Sequence, residues 1–212
     1  MEVYGVKPKK FTKEWWPYFW EYYKWHTIVG AVLLVILISS LVECANRTDY
    51  DLQADIITEN KVSSESIDSL TALIQDNIDD ITGNGKNEAY VTYLDMGESS
   101  DPQFVQAMQT KYMVEIGYGE SYIFLVSKEY ADRLIDTEVF EVSTSWTDKA
   151  SYKGYCISLE GNKLLEDAGF DTSDLYIGIV KLRENDRKSE REKNITKQAN
   201  AIRFAQYLVS KG

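Results

Sequence analysis

Apolar and polar positions divide this chain into two regimes. Residues 28–42 are apolar and carry no charge; with Trp25, His26 and Thr27 they reach the lower limit of a helical membrane span, roughly 17 residues. Beyond residue 50 the apolar positions come instead in short runs broken by polar turns, the pattern of strands and amphipathic helices. Residues 52–58 read as a strand ending at Glu59 and Asn60, after which Ser63 or Ser64 caps a helix with Ile67, Leu70, Ile74, Ile78 and Ile81 as its stripe. Gly83, Asn84 and Gly85 make a turn, and 89–94 alternates as a second strand. Asp101 then Pro102 is a cap followed by a first helical position, with Phe104, Ala107, Met108, Tyr112 and Ile116 as the expected buried face and Gly117 and Gly119 as its stop.

Residues 122–126 are five consecutive apolar positions, which suits a strand covered on both faces, and 128–135 makes a short helix. The alternation resumes with a strand at 155–159, a helix at 162–168 stopped by Gly169, and a strand at 175–182. A charged stretch, 183–193, with alternating signs, reads as a solvated turn or helix face. The terminal helix follows with the stripe Ile195, Ala199, Ile202, Ala205 and Val209. Strands alternating with helices predict an α/β fold: a single, mostly parallel sheet flanked by helices, with right-handed crossovers, after one N-terminal transmembrane helix.

The segment before the apolar run has its own pattern. Eight of the eleven residues 15–25 are aromatic, while Lys10, Glu14, Pro17, Glu21 and Lys24 recur at spacings of four and three as one polar stripe. Trp15, Trp16, Phe19, Trp20, Tyr22, Tyr23 and Trp25 fill the other faces, which suits a helix in the headgroup layer that turns into the span, with Pro17 starting or kinking it. A docking surface for another membrane protein is the alternative use of the same rings. His26, the sole histidine, sits at this boundary with no second ligand nearby and reads as an interfacial side chain.

Lys7, Lys9, Lys10, Lys13 and Lys24 precede the span, and Glu43, Asp49 and Asp51 follow it with Arg47 alone opposing them. Positive charge stays inside, so the expected topology is a single-pass protein of the cell membrane with a cytoplasmic amino terminus and an extracellular domain. The resulting division is 1–26 for the arm and interfacial helix, 27–43 for the span, 44–51 for a tether and 52–212 for the outer domain. A cleaved signal is the rival reading, but Glu43 stands where a cut wants a small residue. The same Glu43 opposes a lipoprotein reading in which Cys44 is modified, although Leu41 sits suitably three places before it.

The arm holds five lysines against three acids, so the net charge of -11 belongs to the outer domain. Nucleic acid is therefore not an expected partner of that surface, nor is anionic lipid. Cys44 and Cys156 are the two cysteines, too few for a disulfide framework. The outer domain has no histidine, no Gly-x-Ser-x-Gly elbow, no phosphate loop and no twelve-residue calcium loop. Asp79 with Asp80, and Asp95 with Glu98, are the paired carboxylates on which an enzyme reading would rest. The expectation is a non-catalytic domain with no cofactor and no metal.

A ligand site in an open α/β sheet lies at the carboxyl edge of the parallel strands. That rule selects Glu59 and Asn60 after the first strand, Asp95, Glu98, Ser99 and Ser100 after the second, and Ser127 and Glu129 after the third. Ordinary strand-end loops and helix caps account for the same residues. Trp146, in the polar run 143–148, is a side chain for stacking on a sugar or a partner, or for filling space beneath a loop.

Residues 106–146 carry a resemblance. Gln106, Met108, Gln109, Lys111 and Met113 on a helix, Gly117 and Gly119 at a turn, 122–126 as a strand and 130–140 beyond resemble one lobe of the extracellular solute-binding proteins of bacterial ABC importers, and Ala201, Phe204 and Leu208 suit that family's closing helix. The resemblance implies a periplasmic-binding-protein-like lobe with a small-molecule ligand, working beside a transporter. Glu120 and Ser121 depart from the family, which commonly has an acidic residue and a Pro-Asp pair there, and one sheet supplies one lobe where the family closes two. The whole chain, with Tyr22, Tyr23, Lys24, Trp25, His26 and Thr27 leading into the span, also resembles single-pass membrane proteins of clostridial-type bacteria, a likeness that implies a compartment and no activity. Two functions follow as expectations: a membrane-anchored solute-binding-like module, or an interaction subunit of a membrane or cell-envelope complex. The expected partners are the lipid bilayer and a membrane protein such as a transporter.

Overall fold

The computed structural model describes residues 8–13, 15–45, 49–99, 101–182 and 188–211. Lys7, Glu14, Arg47, Ser100 and residues 183–187 lie outside the described residues, as do the side chains of Glu43 and Cys44. The chain divides into two compact units, Met1–Thr48 and Asp49–Gly212.

In the first unit one helix, α1 (Trp15–Ala45), runs without a break through both the aromatic block and the apolar run. Pro17 falls in its first turn, where a missing N–H leaves no bond unmade. Of this helix, Trp15–Val42 is long and apolar enough to cross a membrane. Those 28 residues would extend about 42 Å, against a hydrocarbon core of about 30 Å, so the apolar stretch outruns the span predicted for 27–43. The excess is aromatic. Trp15 stacks on Phe19 at 4.8 Å between centroids and Phe19 on Tyr23 at 5.5 Å, while Trp16, Trp20 and Trp25 are exposed.

The second unit is built on a five-stranded sheet in the order β2-β1-β3-β5-β4. Its elements are β1 (Leu52–Thr58), α2 (Ser64–Gln75), β2 (Ala89–Asp95), α3 (Pro102–Tyr118), β3 (Ile123–Ser127), α4 (Lys128–Asp136), β4 (Ile157–Ser158), α5 (Lys163–Asp167), β5 (Leu175–Ile179) and α6 (Lys188–Ser210). β1 pairs in parallel with β2 and β3, whereas β5 runs antiparallel to both β3 and β4. The sheet is thus mixed, which corrects the expectation of a mostly parallel one. The strand that departs is β5, which follows the five-residue α5 and pairs antiparallel with both of its neighbours. The chain therefore enters β5 from the end at which it left β4.

Local signals set most element starts. Ser63 caps α2 by accepting from Ser66 N, Asp101 caps α3 by accepting from Gln103 N, and Asn162 caps α5 by accepting from Leu165 N. α2 stops at Gln75, short of the predicted stripe's end, but Leu70, Ile74 and Ile78 are still buried. Asp51, fully buried at the start of β1, explains how the following loop is held. Its carboxylate accepts from the backbone N–H groups of Ile81 at 2.8 Å, Thr82 at 2.9 Å and Glu88 at 2.7 Å.

Helix faces depart from the predicted stripes in two places. On α6 the buried residues are Lys197, Asn200, Ala201, Phe204, Ala205, Leu208 and Val209, while Ile195 and Ala199 are exposed. The face is turned because two polar side chains point inward with partners. Asn200 Nδ2 donates to Asp79 O at 2.8 Å, and Lys197 Nζ lies 3.3 Å from Asp49 and 3.4 Å from Glu120. On α3 no side chain is fully buried. Val105, Met108, Tyr112 and Ile116 are half-buried, with Tyr112 and Ile116 packed against the core, and the predicted core residues Phe104 and Ala107 are exposed.

Candidate functional site

The carboxyl ends of β1, β2 and β3 bring together half of the residues selected by sequence. Ser127 Oγ donates to Glu59 Oε2 at 2.5 Å, joining the end of β3 to the residue after β1. Tyr93 Oη donates to Asn60 O at 2.9 Å, and Asp95 Oδ1 accepts from Gly97 N at 3.0 Å. Met96 N donates to Thr58 O at 3.0 Å, which extends the β1–β2 ladder past both strands. Glu59, Asn60, Asp95 and Ser127 are therefore one cluster.

Two details give the cluster its chemistry. Ser127 stands at the N-cap of α4, yet its hydroxyl makes no cap bond and is turned to Glu59 instead. The other carboxylate oxygen, Glu59 Oε1, is buried without a hydrogen-bond partner. A Cβ on Gly97 would sit 2.8 Å from Glu59 O, so this loop closes on the cluster only because position 97 has no side chain. The Glu59 carboxylate thus has one oxygen held by Ser127 and one buried without a partner, and the phenols beside the cluster are shifted by burial and by neighbouring carboxylates. Tyr130 is pushed up in pKa first by burial, with Glu59 and Glu129 adding to the shift against Arg133; Tyr93 is pushed up by burial and then by Asp95.

The remaining predicted residues stand elsewhere. Glu129 pairs with Arg133 one turn along α4, both exposed. Glu98 is exposed, and Ser99 Oγ accepts from Asp101 N at 3.2 Å, which makes it part of the lead-in to α3. Trp146 is 3% exposed, with its carbonyl accepting from Gln206 Nε2 at 2.6 Å, so it fills space under a loop and offers no stacking face. Among the described residues no three His, Cys, Asp or Glu side chains form a group able to hold a metal ion. Cys156 is free and buried, and burial pushes its thiol up to about 12, away from thiolate chemistry.

A second polar group was missed by the sequence reading. Asp55 lies in the middle of β1 with no exposure; its Oδ1 accepts from Ser121 Oγ at 2.8 Å, and Oδ2 is buried with no partner. Thr92, its register partner on β2, lies beside it, and Lys111 and Glu115 of α3 stand over it. Burial pushes the Asp55 carboxyl up to about 7, with Glu115 adding to the shift and Ser121, Thr92 and Lys111 opposing it. The available signal was a single acid inside a strand whose neighbours on both faces are apolar.

No family model matches the chain, and no curated protein or solved structure matches it.

Proposed function

We propose that this protein is a non-catalytic interaction subunit held at the cell membrane by α1, with α3 as the contact surface of its outer domain. The observation that carries the reading is α3 itself. A 17-residue helix on the surface of a domain normally buries one apolar stripe and shows water the other side. α3 buries no side chain fully, and its apolar residues are spread around its circumference: Phe104, Met113, Val114 and Tyr118 are 37%, 68%, 50% and 82% exposed. Such a face is stable on a partner and costly in water. The long aromatic helix supports the membrane placement, with its rings in the headgroup layer and its amino terminus in the cytoplasm.

Native electrophoresis of mildly solubilised membranes tests the reading. Wild type should run as an assembly larger than one chain, and Val114→Glu should run smaller; a single chain in both cases refutes it.

The solute-binding reading rests on a different observation, the Glu59–Ser127 pair with its unpartnered Oε1. It places a small ligand with a donor or cationic group at the strand ends, presented to a transporter. Glu59→Gln would then abolish ligand retention and leave the assembly intact.

A further inference from the structure

We infer that α3 is a flap governed by the proton on Asp55: the helix stays seated on the sheet while that carboxyl is neutral, and lifts to let water in when it is ionised. The inference concerns how the helix is held and does not depend on α3 having a partner.

The seat beneath α3 is polar. Asp55, Thr92 and Ser121 are 0%, 7% and 4% exposed. Thr92 is the register partner of Asp55 on β2, and Ser121 Oγ donates to Asp55 Oδ1 at 2.8 Å. Onto this seat α3 brings little apolar surface: Tyr112 and Ile116 pack against the core, both half-buried, and no side chain of the helix is fully buried. By contrast α2 buries Leu70 and Ile74, α4 buries Tyr130 and Leu134, and α6 buries Phe204 and Leu208. Apolar burial is what holds a surface helix in place, so α3 is held less firmly than those three.

Ionisation sets that weak seat against a buried charge. Asp55 Oδ2 is buried with no hydrogen-bond partner, and a carboxylate there lacks the donors that a buried charge needs. The charged groups facing it are Lys111 and Glu115, one turn apart on α3 itself, and they act in opposite directions. Lys111 is exposed and puts no donor on Oδ2. The neighbouring strands contribute the neutral Thr92 and Phe124, and Glu120, next to Ser121, is turned to Gln53 and Lys197. Burial pushes the carboxyl up to about 7, so it ionises around neutral pH.

The helix is the neighbour that can give way. β2 and β3 are hydrogen-bonded to β1 and cannot part from Asp55 without breaking the sheet. α3 is joined to them by the links 96–101 and 119–122 and can lift on both. Off the sheet, a lone 17-residue helix is marginal in water, so its backbone amides lose protection.

Hydrogen exchange of the full-length chain in mild detergent, read by mass spectrometry from pH 5 to pH 8, tests this, with labelling times scaled to the intrinsic rate at each pH. In the wild type, amides of 105–118 should exchange faster than those of α2 and α6 at every pH. Their protection should fall by roughly fiftyfold from pH 5 to pH 8, the factor by which ionisation favours a state in which Asp55 meets water. Asp55→Asn should hold α3 protection level across that range. Ile116→Ala, which trims the seat but keeps the acid, should speed α3 exchange by roughly tenfold at each pH and leave its pH dependence intact. The wild-type profile decides even without the variants. Amides of α3 that exchange together with those of α2 and α6 at every pH, or that open locally with no pH dependence, overturn the proposal, as does a fall in protection that persists in Asp55→Asn.

Discussion

Replacing Asp55 with Asn should convert a pH-dependent domain into one much less so. In the folded chain burial holds this carboxyl near 7, while in the unfolded chain it titrates at its ordinary value of about 3.9. Between those values the native state binds a proton that the unfolded state has released, so stability falls as pH rises from about 4 to about 7 and levels off above. Three units at about 1.4 kcal/mol each make the loss about 4 kcal/mol. Asn removes the titration but keeps the shape, with the Ser121 hydroxyl still within reach of its oxygen and its amide facing the place of the unpartnered Oδ2. Residues 49–212 contain a single tryptophan, the buried Trp146, whose fluorescence reports urea unfolding of this unit. At pH 4 Asn should match wild type or fall about 1 kcal/mol below it for its own unmatched amide. By pH 8 it should lead by about 3 kcal/mol. A stability difference that stays flat between pH 4 and pH 8, or moves against Asn as pH rises, would refute the reasoning about Asp55.

Other substitutions test separate parts of the structure. Asp51→Ala leaves three backbone N–H groups without their acceptor and should lower urea stability by about 3 kcal/mol, with faster amide exchange at Ile81, Thr82 and Glu88. Gly178→Ala puts a Cβ 2.5 Å from the ring of the fully buried Phe140 and should cost about 3 kcal/mol or more, seen as a drop in melting temperature. Ser127→Ala leaves Glu59 with neither carboxylate oxygen bonded and should cost about 2 kcal/mol in the same unfolding assay; Glu59→Gln should cost less, because the amide oxygen still accepts from Ser127.

Strand positions were the most legible part of the sequence. Leu52–Thr58 was read to the residue, and Ala89–Asp95 to within one, because each run is bounded by polar turn residues and filled with apolar and β-branched side chains. Helix starts were legible at Asp101, read as a cap, and at Ser63, one of two serines open to that role, while Asn162, read as the first residue of its helix, caps it instead. Helix faces were less so, since hydrophobic spacing cannot show that Lys197 and Asn200 turn inward to meet Asp49, Glu120 and Asp79 across more than seventy residues of sequence. The direction of β5 was hidden for a different reason: a strand that runs parallel and one that runs antiparallel show the same apolar pattern in sequence. Of the candidate site, the strand-end rule found Glu59, Asn60, Asp95 and Ser127 but also took in Glu129, whose charge is engaged with Arg133. Asp55 was passed over because an isolated acid carries no motif, and its significance comes from burial alone.

Native mass spectrometry of the full-length chain released from mild detergent bears most directly on the claim that this is a membrane-held interaction subunit. It reads stoichiometry and the identity of any companion together. The account predicts wild type carrying at least one further protein chain and Val114→Glu carrying none. A single chain for both proteins, with nothing bound, would contradict it.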